Sequence, residues 1–150
     1  MDAQTKLIQG ETKLTQAVEM DNLALVQRLV VVEREKINEP GKCYHSGGVH
    51  LLTPLLLAVA NGNSTMTDEL IRLGADVNIK SDGVYPIHVA CRTNKFLLIN
   101  SLVQAGADVN VKDNHDYSPF MIALDKYKCM GAKMKYRTPR ITTSDPSREN

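Results

Sequence analysis

The residues best suited to chemistry are a thiol and two imidazoles close together, Cys43, His45 and His50. Thiolate and imidazole are zinc-ligand types, but the spacing matches no standard zinc pattern and a fourth ligand would have to come from elsewhere. An ordinary polar loop is the preferred reading, and no metal is expected. His88 has no neighbouring base or metal partner in the sequence, and its structural reading follows from the motif context given below. Cys91 lies in an apolar helical pattern and reads as a small buried hydrophobe. No G-x-x-x-x-G-K-[ST], H-E-x-x-H or G-x-S-x-G is present. Nearly all of the chain is committed to the repeated pattern described below, which leaves no room for a catalytic domain, so no catalytic residue and no cofactor are expected.

Of the 150 residues, 43% are hydrophobic and 23% charged, which supports a packed core. Only 5% are aromatic and there is no Trp, so Leu, Val, Ile and Ala must fill it. A net charge of +1 gives no global attraction to nucleic acid or acidic lipid. The three cysteines, Cys43, Cys91 and Cys129, are scattered and odd in number, which favours a reducing compartment over a disulfide framework. Met1 to Lys6 carries an acid and no following apolar run, unlike a secretory signal. The longest apolar stretch, Leu51 to Ala60, is interrupted by Thr53-Pro54 and is half the roughly 20 residues a membrane helix needs. A cytoplasmic or nuclear location is expected, which leaves the sequon at Asn63-Ser64-Thr65 as chance.

The elements that would carry these residues are set by internal repetition. Residues 53–78 read TPLLLAVANGNSTMTDELIRLGADVN, and residues 85–110 read YPIHVACRTNKFLLINSLVQAGADVN. The two starts lie 32 residues apart, and Ser118-Pro119-Phe120-Met121-Ile122-Ala123 begins another copy 33 residues later. A weaker copy starts at Thr12 and ends at Ile37-Asn38. Each copy predicts two short helices. Thr53 and Ser118 can cap helices whose first residue is proline, which has the φ of a first turn and no N–H to lose. Tyr85 replaces the capping hydroxyl, so that helix should start less firmly. Leu55, Ala58 and Val59 point inward from the first helix, and Met66, Leu70, Ile71 and Leu73 from the second. Gly74 and Gly106 end the second helices in the left-handed conformation that glycine adopts most easily. The polar stretches Ile79 to Val84 and Val111 to Tyr117 suit projecting turns. A pair this short buries its apolar face only by stacking on its neighbours.

With TPLLLA, YPIHVA and SPFMIA at the helix starts and two GADVN endings in register, the sequence resembles the ankyrin-repeat family, whose pattern contains T-P-L-H-x-A. The resemblance implies an all-α solenoid of stacked helix-turn-helix pairs with projecting β-turn or hairpin loops, about three and a half repeats long. A lead-in of 1–10 precedes an ankyrin domain of 11–128, with repeats near 11–38, 52–78, 84–110 and a partial 117–128. Between Asn38 and Thr53 lie 14 residues, EPGKCYHSGGVHLL, where six precede Tyr85. Their Gly and Pro content predicts an enlarged irregular loop at 39–52. Residues 129–136 are a candidate capping helix despite Gly131, and the Thr-, Ser-, Pro- and Arg-rich 137–150 reads as a solvated tail. Lys126, Lys128, Lys133, Lys135, Arg137 and Arg140 form a basic run without an acid. A solvated end is preferred there over docking of an acidic partner or RNA.

The resemblance further implies a non-catalytic monomer that holds another protein on a concave face. Mapped onto this chain, that face comprises Glu19, Met20, Ala60, Asn61, Arg92, Thr93, Asp125 and Lys126 at helix ends. The turns add Ser81, Asp82, Val84, Asn114, His115 and Tyr117. Arg92 and Tyr117 are residue types that often dominate interfaces. Short inhibitors of cyclin-dependent kinases or of NF-kappa-B are analogies from fold alone. A substrate adapter of a ubiquitin ligase, or a piece of a longer ankyrin-containing enzyme or channel, are the alternatives. Membrane, nucleic acid and small-molecule substrates are not expected as partners.

Overall fold

The computed structural model describes residues 10–45 and 47–133 and, from Cys129 on, the backbone alone. Seven helices and one hairpin follow in order: α1 (Lys13–Glu19), α2 (Leu23–Val31), β1 (Gly41–His45), β2 (Gly48–Leu52), α3 (Pro54–Ala60), α4 (Ser64–Arg72), α5 (Pro86–Thr93), α6 (Phe96–Gln104) and α7 (Pro119–Lys133). Helices α1, α3, α5 and α7 pack side by side in one row, and α2, α4 and α6 lie behind it.

Local chemistry places these boundaries. The hydroxyl of Thr53 accepts the N–H of Leu56 at 3.3 Å, with Pro54 as the first residue of α3. Ser118 accepts the N–H of Met121 at 3.2 Å at the start of α7. Thr12 and Thr15 close a reciprocal capping box on α1, and Asn22 and Asn63 cap α2 and α4. Tyr85 makes no side-chain cap on α5, and its N–H is met instead by Nδ1 of His88 at 3.3 Å. At Gly74 (φ +99°) the N–H of Ala75 reaches the carbonyl of Leu70 at 2.9 Å. Gly106 (φ +91°) repeats this with Ala107 and Leu102, also at 2.9 Å. These are Schellman closures, in which the left-handed residue lets the chain double back on the last carbonyls.

The core runs through the stack without interruption. Leu14, Val18, Val26, Leu29, Leu55 to Val59, Met66, Leu70, Ile87, Ala90, Leu98 and Leu102 are all buried. Each fully buried Leu or Ile contributes roughly 1.5–3 kcal/mol, which no isolated helix pair could realise. His88 is completely buried, and its Nε2 donates to the carbonyl of Tyr117 at 2.9 Å, tying α5 to the turn before α7. The GADVN endings form a second set of ties. The Oδ1 of Asn38 accepts the N–H of Asp76 at 2.9 Å, and that of Asn78 accepts the N–H of Asp108 at 2.8 Å. Asp76 and Asp108 in turn accept the N–H groups of Asn78 and Asn110, both at 2.8 Å, fixing each turn. Among the described residues the side chain of Asn110 holds no partner of this kind.

The inserted segment departs from expectation. Instead of an irregular loop, 39–52 contains an antiparallel hairpin paired from Gly41–Leu52 to His45–Gly48. The sequence supports it through side-chain alternation: Gly41 and Cys43 are buried, whereas Lys42 and Tyr44 are exposed. Gly41 and Gly48 lie within the strands, and Gly47 (φ +82°) lies in the turn between them. A Cβ on Gly41 would stand 2.6 Å from the hydroxyl of Thr15, so only glycine lets β1 lie this close to α1. Residues 129–133 are a continuation of α7 rather than a separate element. The remainder of the candidate capping helix and all of 137–150 lie outside the described residues, as do residues 1–9 of the lead-in.

Candidate functional site

The turn between α4 and α5 and the hairpin between α2 and α3 stand next to each other. Asp82 (φ +50°) and Gly83 (φ +81°) form a tight reversal closed by Ser81 and Val84, whose N–H and carbonyl groups pair in both directions at 2.9 and 3.1 Å. Two successive positive φ values are what a two-residue hairpin turn demands, and Asp-Gly meets that demand. The turn is fastened to the hairpin by two bonds. Ser81 Oγ donates to the carbonyl of Leu51 at 2.7 Å, and Nδ1 of His50 meets Oδ2 of Asp82 at 2.6 Å.

A cleft of about 290 Å³ lies between these projections and the ends of α3 and α5. Leu52, Leu56, Val84 and Val89 form its apolar lining. His45, His50, Asp82, Arg92 and Thr93 supply its polar lining, and Ala60 also lines it. Five residues expected on the binding face therefore meet in one place: Ala60, Asp82, Val84, Arg92 and Thr93. His45 and His50 join them from the hairpin, which sequence reasoning set aside as a polar loop. The alternation along Lys42-Cys43-Tyr44-His45 was the signal for their position.

The other expected residues are distributed around this cleft. Glu19 and Met20 are exposed at the end of α1, where Glu19 accepts the N–H of Tyr44 at 3.3 Å. Partial burial raises the Glu19 carboxyl above its ordinary range, a shift that the Tyr44 hydrogen bond opposes. Asn61 is exposed at the end of α3. Asn114 and His115 are exposed on the turn before α7, and Tyr117 is 50% exposed. Asp125 and Lys126 are exposed on α7, and the Lys126 ammonium donates to the carbonyl of Arg92. A cation there complements the negative end of α5. Ser81 is a correction. It is only 8% exposed and its hydroxyl is committed to Leu51, so it braces the turn and offers little to a partner.

The hairpin adds a surface that sequence reasoning missed. Tyr44 and Val49 face each other across the strands, and Leu51 lies two residues further on the same side. All three are exposed, forming an apolar strip on the side of the hairpin away from the cleft.

The remaining candidates for chemistry are structural in their surroundings. The Cys43 side chain is completely buried, and that burial pushes the thiol up to about 11. Burial also raises Cys91, and both thiols are free. Among the described residues no three of His, Cys, Asp or Glu are grouped to hold a metal ion. Asp113 is buried beneath the last turn, and its Oδ1 accepts the N–H groups of His115 at 2.8 Å and Tyr117 at 3.0 Å. Burial opposes its charge, but those two bonds prevail and hold the carboxyl below its usual range. No described helix is long and apolar enough to cross a membrane.

Comparison with known proteins agrees with this architecture. No curated protein matches the sequence. Among solved structures, the chain is similar to the ankyrin repeat domain of Bcl-3, described as a unique member of the IkappaB protein family. The TM-score is 0.67 at 29% identity, covering 82% of this chain and 51% of that one. The chain thus spans about half the length of that domain. The family described as "Ankyrin repeats (3 copies)" matches over residues 14–113 and 55–130. With its helix pairs stacked through those same residues, the chain belongs to the ankyrin-repeat family and is a protein-binding module of that kind.

Proposed function

We propose that this chain is a non-catalytic monomer that sequesters or inhibits a partner protein through its concave face, in the cytoplasm or nucleus. The observation that carries the reading is the cleft in which Ala60, Asp82, Val84, Arg92 and Thr93 converge over an apolar floor. Exposed Tyr117 lies one turn further along the array. Similarity to the ankyrin repeat domain of Bcl-3, a member of the IkappaB protein family, supports the protein-binding part of this reading. Free thiols at Cys43 and Cys91 suit a reducing compartment.

The test is cross-linked affinity purification with the wild type beside Arg92→Ala/Tyr117→Ala. Both substitutions remove exposed side chains and leave the backbone carbonyls that Lys126 and His88 use. Capture of a protein by the wild type, with loss in a double mutant of unchanged helical content, is expected. Equal capture by both would place binding elsewhere and refute the reading.

A second reading is favoured by α7. Phe120, Leu124 and Tyr127 recur at helical spacing and are all exposed, forming an apolar stripe beyond the last stacked pair. In that reading this segment is part of a longer ankyrin array whose further helices pack on α7. Appending a consensus ankyrin repeat after α7 would then raise the midpoint of thermal unfolding, and an unchanged midpoint would count against it.

A further inference from the structure

We infer that the cleft between the hairpin and α5 takes an acidic peptide segment, seating one apolar side chain on its floor and placing a carboxylate on Arg92. This rests on the concave-face reading above and adds the chemistry of the partner.

The floor is apolar on both sides, from Leu52 at the end of β2 and Leu56 in α3, and from Val84 in the turn and Val89 in α5. Its volume, about 290 Å³, is at the lower limit of pockets for small ligands, which run from roughly 300 Å³ upward. One anchor side chain from a larger partner fits such a space better than a separate metabolite.

Charge in the lining decides the rest. Among the described residues the single carboxylate lining the cleft is Asp82, whose Oδ2 is hydrogen-bonded to Nδ1 of His50 at 2.6 Å. The guanidinium of Arg92 has no carboxylate within ion-pair distance among the described residues. A second cation stands beside it, because Lys126 reaches the carbonyl of Arg92 itself. His45 and His50 on the opposite wall contribute no negative charge. The cleft thus presents the Arg92 guanidinium, free of any ion pair among the described residues and with the Lys126 ammonium beside it, next to an apolar seat, while its carboxylate, Asp82, is held by His50. An acidic partner gains both complementarity and a bidentate acceptor for Arg92, whereas a basic one meets repulsion.

The test is selection from a random peptide library displayed on phage, run against the wild-type protein, Arg92→Glu and Ala60→Trp. Ala60 is half-buried in the lining of the cleft, so a Trp there fills the seat without entering the core. Wild-type selection should enrich peptides pairing an aliphatic or aromatic residue with a nearby Asp or Glu. Their Kd should rise about tenfold or more on Arg92→Glu, since reversal replaces an attraction with a repulsion. Replacing the peptide's acid with Lys should restore binding to Arg92→Glu, a rescue that misfolding cannot produce. Enrichment of neutral or basic peptides, indifference to Arg92→Glu, or no enrichment at all would overturn the inference. Peptides that lose binding to Ala60→Trp but show no acidic preference would leave the concave-face reading standing. Peptides indifferent to Ala60→Trp would overturn both.

Discussion

Replacing His88 should loosen the array at its C-terminal end more than anywhere else. The imidazole donates from Nε2 to the carbonyl of Tyr117 at 2.9 Å and accepts the N–H of Tyr85 at Nδ1, at 3.3 Å. The second bond fixes the tautomer, with the proton on Nε2. His88→Phe keeps a planar ring of similar bulk and removes both bonds. The Tyr117 carbonyl retains the N–H of Asp113 at 3.0 Å, so its loss is one net hydrogen bond, about 1 kcal/mol. The Tyr85 N–H is left without a partner at a half-buried site and costs about 1–2 kcal/mol. The expected total is about 2–3 kcal/mol, and His88→Ala should reach about 3–4 kcal/mol because it also opens a cavity. Urea unfolding followed by circular dichroism measures the sum. Hydrogen exchange reads the location: amides of α7 should lose protection before those of α1 and α3, because each repeat is coupled only to its neighbours. A His88→Phe protein within about 0.5 kcal/mol of wild type would refute the reasoning. So would a loss of protection spread evenly over the stack.

Three further outcomes follow from the geometry. Gly41→Ala should destabilise by about 1–3 kcal/mol and expose the hairpin to protease, since the added methyl meets Thr15 at 2.6 Å; an unchanged cleavage rate at 41–52 would contradict this. Asp113 is held below its ordinary value of 3.8, so its contribution is complete above that pH and is lost as pH falls through the lower folded-state value. Asp113→Asn should therefore cost about 1–2 kcal/mol at neutral pH and flatten the acid limb of the stability curve, a result that parallel pH titrations of unfolding would check. Iodoacetamide mapped by mass spectrometry should leave Cys43 and Cys91 unmodified in the native protein and modify both in urea; rapid native labelling of Cys43 would show that the hairpin is not packed as described.

The helix pairs were legible because their signals are local. A hydroxyl or amide side chain caps a helix three residues away, and Gly74 or Gly106 ends one within a turn. Helical register likewise brought Arg92, Thr93 and Ala60 to one cleft. The hairpin was not legible from composition. In composition glycine reads as a breaker, whereas Gly41 is demanded by the proximity of Thr15, a contact between residues far apart in the chain. Ser81 was misplaced for a related cause. Its neighbours in sequence mark a projecting turn, but its hydroxyl is consumed by Leu51, 30 residues earlier. The engagement of Asp82 by His50 spans 32 residues and is equally invisible to local pattern. What sequence conveyed was which side chains project; which of them are still free to meet a partner depended on long-range pairing.

The ties made by Asn38 and Asn78 have an evolutionary consequence. Each asparagine sits at the end of one repeat and receives the Asp N–H of the next, so every unit carries a socket at one edge and a plug at the other. A unit copied by duplication arrives with both halves of its joint already encoded, and so does one moved by recombination. The joint uses none of the side chains that line the cleft. Exposed side chains such as Arg92 and Tyr117 can therefore vary while the coupling between units is inherited unchanged. An insertion such as the hairpin at 41–52, placed just after the Asn38 socket, reshapes the exposed surface and leaves the joint intact.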